Sequence, residues 1–162
     1  MLNQFGELLR YQEWADWQFF KRWKEFPQAY EDAHIRTLTD HFTKVQRLFL
    51  QVLHQEKADF QDRNVSPASI HELLQRCQEN HARMKTYVAS LTGEKLSSKL
   101  YLSWFPGGNF QPTVSEVLLQ VIMHTQHHRA QVLQSLAKYA EKSIIIDWIS
   151  WVFREKPVPV WE

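Results

Sequence analysis

Cysteine occurs once in the 162 residues, at Cys77, and glycine only four times. One cysteine excludes a disulfide framework and a thiolate-based structural zinc site, and is compatible with a reducing compartment. Neither sign of charge dominates: 19 basic and 18 acidic residues leave a formal net charge of +1. That balance, with no basic stripe, excludes a protein that grips nucleic acid by its phosphates. No apolar run approaches the ~18 residues of a membrane span. The N-terminal stretch MLNQFGELLRYQEWADWQFF is charged throughout and has no clean apolar segment or cleavage site. No signal peptide is expected, and the expected location is the cytoplasm. The scarcity of glycine leaves long segments without a breaker, which favours helices.

What is abundant is aromatic: seven Trp and ten Phe supply the core of one domain spanning residues 1–162. Four long helices are expected. The first runs from Leu2 to Phe26, before Pro27, and the second from Thr37 to His54. The third starts at Ser66-Pro67, an N-cap followed by proline at the first helical position, and ends near Thr92 with Gly93 as its C-cap. The fourth opens with the capping-box pattern Thr113-Val-Ser-Glu116 and continues to Tyr139. Between the last two lies EKLSSKLYLSWFPGGNFQP, where alternating apolar residues and a PGGN turn predict a short hairpin or an irregular loop. IIIDWISWVF predicts one further short helix, and KPVPVWE an extended end. The fold class expected is all-α, a four-helix bundle.

Three of the eight histidines fall within VIMHTQHHRAQVLQ, residues 121–134. A helix turns about 100° per residue, so residues four apart share a face. On the fourth helix the apolar arc is Val114, Val117, Val121, Val132, Leu136 and Tyr139; His128 falls inside it, His124 at its edge and His127 on the polar side. Two imidazoles at i and i+4 reach a common point above the helix, so His124 and His128 can grip one metal ion. Buried histidines with hydrogen-bond partners are the plainer reading. On the second helix His41 occupies the stripe Leu38, His41, Phe42, Val45, Leu48, Phe49, Val52. A third inward imidazole completes the three-ligand set of an open metal site. His81, on the third helix with Ile70, Leu74, Cys77, Met84 and Val88, is its rival. Cys77 reads as a small buried hydrophobe, and His34, His54 and His71 as surface or capping residues.

The first helix carries Gln12 and Asp16 in the middle of the apolar stripe Phe5, Leu9, Phe19, Trp23. A carboxylate there needs a partner. Either residue accepts from the outer ring nitrogen of a ligating histidine, or it bonds between helices; both readings stand.

Three pieces of the chain together resemble the DinB/YfiT-like superfamily of metalloenzymes. Tyr11-Gln-Glu-Trp-Ala-Asp16 is similar to its Tyr-Asn-x-Trp-Ala-Asn signature. His41 stands where the family has a histidine, and His124-Thr-Gln-His-His128-Arg-Ala-Gln131 is similar to His-x-x-x-His-Arg-Gly-Gln. The resemblance implies a DinB-like four-helix bundle, with His41, His124 and His128 as ligands of a divalent metal, nickel or zinc foremost. It also implies a homodimer and a small-molecule substrate. Relatives include metal-dependent transferases that attach low-molecular-weight thiols to electrophiles, and others that isomerise or hydrolyse small molecules. The chain departs from the pattern at Gln12 and Asp16, where the family has asparagines, and at Ala130, where it has glycine. Thiol transfer is expected ahead of metal-dependent hydrolysis because a bound thiol supplies its own nucleophile. A non-catalytic metal- or ligand-binding protein is the third expectation.

Overall fold

The structure is a computed structural model and describes residues 2–60, 69–105, 110–140 and 144–161. It is all-α. Helices α1 (Leu2–Lys24), α2 (Ala33–Leu53), α3 (Ile70–Ala89) and α5 (Val114–Leu136) form the bundle, and α4 (Gly93–Ser97) and α6 (Trp148–Phe153) are short. A 3-10 turn, Pro27–Ala29, follows α1. No described helix is long and apolar enough to cross a membrane.

Around the bundle α1 packs on α3 and α5, and α2 packs on the same two helices. The cyclic order is therefore α1–α3–α2–α5. The α2/α5 seam and the α1/α3 seam lie on opposite sides of the molecule, an order that helical periodicity does not reveal.

Local chemistry sets the helix ends. Asp32 caps α2, its Oδ1 accepting from the His34 and Ile35 amides at 3.0 Å each. The helix consequently starts four residues before the expected Thr37. The Thr113/Glu116 capping box forms as the sequence predicts: Thr113 Oγ1 accepts from the Glu116 amide and Glu116 Oε2 from the Thr113 amide. Helix α3 departs from expectation. Ser69 caps it through a second capping box with Glu72, so it starts at Ile70. The expected cap at Ser66-Pro67 lies outside the described residues. Nor does Gly93 close α3. The helix ends at Ala89, and Gly93 opens α4 behind a Thr92 cap, because Thr92 Oγ1 accepts from the Lys95 amide.

Among the described residues of the loop before α5 there is no hairpin. One antiparallel bridge, Lys99 to Thr113, joins its two ends, while the PGGN turn lies outside the described residues. Irregular backbone suffices because Leu100 and Leu102 are drawn into the core individually. The last helix is shorter than expected and begins at Trp148, since Asp147 is extended.

Trp14, Trp23 and Trp151 are fully buried with Phe19, Phe20 and Phe42. Burial of each such aromatic stabilises the fold by about 1.5–3 kcal/mol. The aromatic core holds one end of the bundle; an aliphatic cluster around Leu50, Leu53, Val117, Leu118 and Val121 holds the other.

Candidate metal centre

The histidines of the α2/α5 seam meet. One ring nitrogen from each of His41, His124 and His128 lies within 4.8 Å of the others. The Nε2 atoms of His41 and His124 are 3.3 Å apart. The His128 ring stands edge-on to both, with centroids 4.7 Å from His41 and 4.4 Å from His124. His128 Nδ1 is 2.8 Å from Gln131 Oε1, one helical turn on. An amide oxygen only accepts, so this contact places a proton on Nδ1 and turns Nε2 away from Gln131.

These rings do not sit in the core. His124 and His128 are half-buried and His41 is exposed on its outer edge. The apolar stripe drawn through His41 is rotated from the observed one, in which Ile35, Thr39, Phe42, Gln46, Phe49 and Leu53 face inward. The histidines occupy the rim of the seam, open on one side.

Burial, with His128 and His41 beside it, pushes the His124 imidazole down to about 4. Burial and His128 also lower His41, against the opposing pull of Asp40. Both rings are therefore neutral at physiological pH. Neutral imidazoles with convergent nitrogens and no carboxylate among them are donors to a common cation. Metal–nitrogen bonds of about 2.0–2.1 Å in tetrahedral array separate the two nitrogens by about 3.3 Å. The observed His41–His124 spacing has that value, so the residues fit the ion.

The other sequence-predicted residues sit elsewhere. Asp16 is fully buried at the bundle centre. Its Oδ1 accepts from Arg129 Nη1 at 2.5 Å. Its Oδ2 is 2.9 Å from His81 Nε2 and 3.2 Å from Gln46 Nε2, with the Cys77 thiol at 3.9 Å. Burial alone raises the Asp16 carboxyl, but Arg129 and His81 outweigh it and hold it below its ordinary range. Gln12 Nε2 donates weakly to Thr125 Oγ1 at 3.4 Å. Both residues bond between helices rather than to the three histidines. His81 belongs to this internal network, and the exposed His127 only packs edge-on against His128. Cys77 is buried as expected; burial, then Asp16, pushes its thiol well up.

Sequence reasoning assigned no structural role to Arg129, which is 2 % exposed and is the buried counter-charge of Asp16. Its signal was present. Residue 129 falls on the stripe Val121, Thr125, Val132, Leu136, and a cation on one core stripe answers an anion on another.

The family model described as DinB superfamily matches residues 13–132. The chain belongs to the DinB superfamily. No curated protein and no solved structure matches it. The DinB match contains Asp16, His41, His124 and His128, and thus both the three-histidine cluster and the buried network behind it.

Proposed function

We propose that this DinB-superfamily protein binds one divalent ion, nickel or zinc, through His41, His124 and His128, and transfers a low-molecular-weight thiol to an electrophilic small molecule. The observation that carries the reading is the convergence of three imidazole nitrogens on one open point of the α2/α5 rim. A divalent ion there supplies uncompensated positive charge, which favours the thiolate form of a bound thiol.

The residues of the chain do the rest. The three rings fix the position. Gln131 holds His128 in the tautomer that leaves Nε2 free. The exposed edge of His41 leaves the open side to substrate. Asp40 is the carboxylate felt by His41, but Arg76 at 2.6 Å and Lys44 at 2.6 Å both claim it. An acid whose two oxygens are both occupied has none directed at a water, which favours a reaction whose nucleophile arrives as a thiol over hydrolysis. In the same reading the chain works in the cytoplasm as a homodimer. Ile149 and Phe153, one turn apart on α6, and Ile145 just before it, 65–86 % exposed, supply an apolar contact.

Metal content by mass spectrometry, on protein purified without an affinity tag, tests the site. About one divalent ion per chain is expected, and its loss in His128→Ala. No ion in either protein after reconstitution with nickel, zinc and manganese overturns it. Loaded protein is then assayed for metal-dependent consumption of glutathione and of cysteine with 1-chloro-2,4-dinitrobenzene. Bound metal without such turnover leaves a non-catalytic metal-binding protein.

A further inference from the structure

On the opposite side of the bundle, the α1/α3 seam opens into a groove of about 660 Å³. Leu9, Met84, Val88 and Leu91 give it apolar walls. Its floor carries Glu13, whose side chain is only 5 % exposed. Trp161 Nε1 donates to Glu13 Oε1 at 3.2 Å, and the Lys85 ammonium approaches the same oxygen at 2.6 Å. Oε2 accepts no hydrogen bond from a described residue. Lys85 reaches this acid from outside, its side chain 56 % exposed. His81 also lines the groove. Its Nε2 is held by Asp16, and no described residue bonds Nδ1.

The arrangement is a sunken carboxylate, apolar walls, one imidazole nitrogen held in place, and a solvent-exposed lysine whose ammonium fills the anionic position. Lys85 behaves as an internal surrogate: an alkyl stem ending in a primary ammonium. We propose that the α1/α3 groove is a second small-molecule site, separate from the histidine rim, and that it takes a primary amine with an apolar body. The ligand's ammonium replaces that of Lys85 on Glu13, its carbon skeleton lies along Leu9, Met84 and Val88, and a polar substituent hydrogen-bonds His81 Nδ1. A carboxylate ligand meets Glu13 and is repelled, and Arg10, which also lines the groove, is already paired with Glu7 at 3.5 Å.

Isothermal titration of the full chain with 2-phenylethylamine, beside 3-phenylpropionate of similar size and opposite charge, tests the site. The amine binds and the acid does not. Glu13→Gln weakens the amine about tenfold or more, the loss expected of a charged hydrogen bond. Lys85→Ala removes the competitor and tightens it by roughly threefold, a gain that misfolding cannot imitate. His128→Ala leaves amine affinity unchanged, so the result is independent of the metal reading. Equal binding of acid and amine, no amine binding to either wild type or Lys85→Ala, or an affinity that Lys85→Ala does not raise overturns the proposal.

Discussion

The two seams of the bundle manage polar groups in opposite ways. The α2/α5 rim gathers three imidazoles, and the acid that acts on them, Asp40, is already held by Arg76 and Lys44, so burial and mutual crowding lower His41 and His124. The α1/α3 seam and the core behind it pair charges instead: Asp16 with Arg129, Glu13 with Lys85, Glu7 with Lys156. A cluster without internal compensation invites an external cation. A compensated one stabilises the fold, or yields to a ligand that reproduces one partner. The difference separates histidines that are short of a partner from a histidine, His81, that already has one.

The sharpest way to break the comparison is at Asp16. Asp16→Asn removes one partner of a buried ion pair and strands Arg129, with an expected cost of about 3–5 kcal/mol in urea unfolding. The Asp16 carboxyl is held below its ordinary range, so its contribution is complete above the unfolded value near 3.8 and is lost as pH falls below it. The gap between wild type and variant therefore narrows on acidification through pH 4; a gap constant from pH 7 to 3 contradicts the assignment. On the rim, Gln131→Ala frees His128 to adopt either tautomer. Metal affinity drops roughly 10- to 100-fold, measured by chelator competition, with the melting temperature of the metal-free protein nearly unchanged. An unaltered affinity means that Gln131 does not set the ring. The smallest effect sharpens the contrast in reactivity. The Cys77 thiol is fully buried and pushed up beside Asp16, so a maleimide modifies it slowly in native protein and readily in urea. Fast native labelling argues that the core opens without unfolding.

Much of the bundle was legible because its signals are local. The Thr113 capping box and the spacing of Phe5, Leu9, Gln12, Asp16, Phe19 and Trp23 belong to single helices, and all six of those stripe residues are buried. The HxxxH spacing likewise placed His124 and His128 together. What was not legible depends on several helices at once. Asp16 announced that it needed a partner, but only the cyclic order α1–α3–α2–α5 makes that partner Arg129 and His81. The rotation of α2 was misjudged because Thr39, Thr43 and Gln46 face inward while Leu38, Val45 and Leu48 are only half-covered. Polar residues recruited into a buried network look like a solvent face to a hydrophobicity pattern. Likewise, glycine after an apolar run signals a helix end, and here Thr92 converted Gly93 into a beginning.

Asp32 has a consequence beyond its capping role. One carboxyl oxygen receives the first amides of α2, and the other accepts from the Tyr139 hydroxyl at 2.9 Å, just past the end of α5. The start of one histidine-bearing helix is thereby latched to the finish of the other. In hydrogen–deuterium exchange these two segments are expected to open as one unit, with amides of the first turn of α2 and the last turn of α5 exchanging in concert. A Tyr139→Phe substitution uncouples them, far from any ring nitrogen.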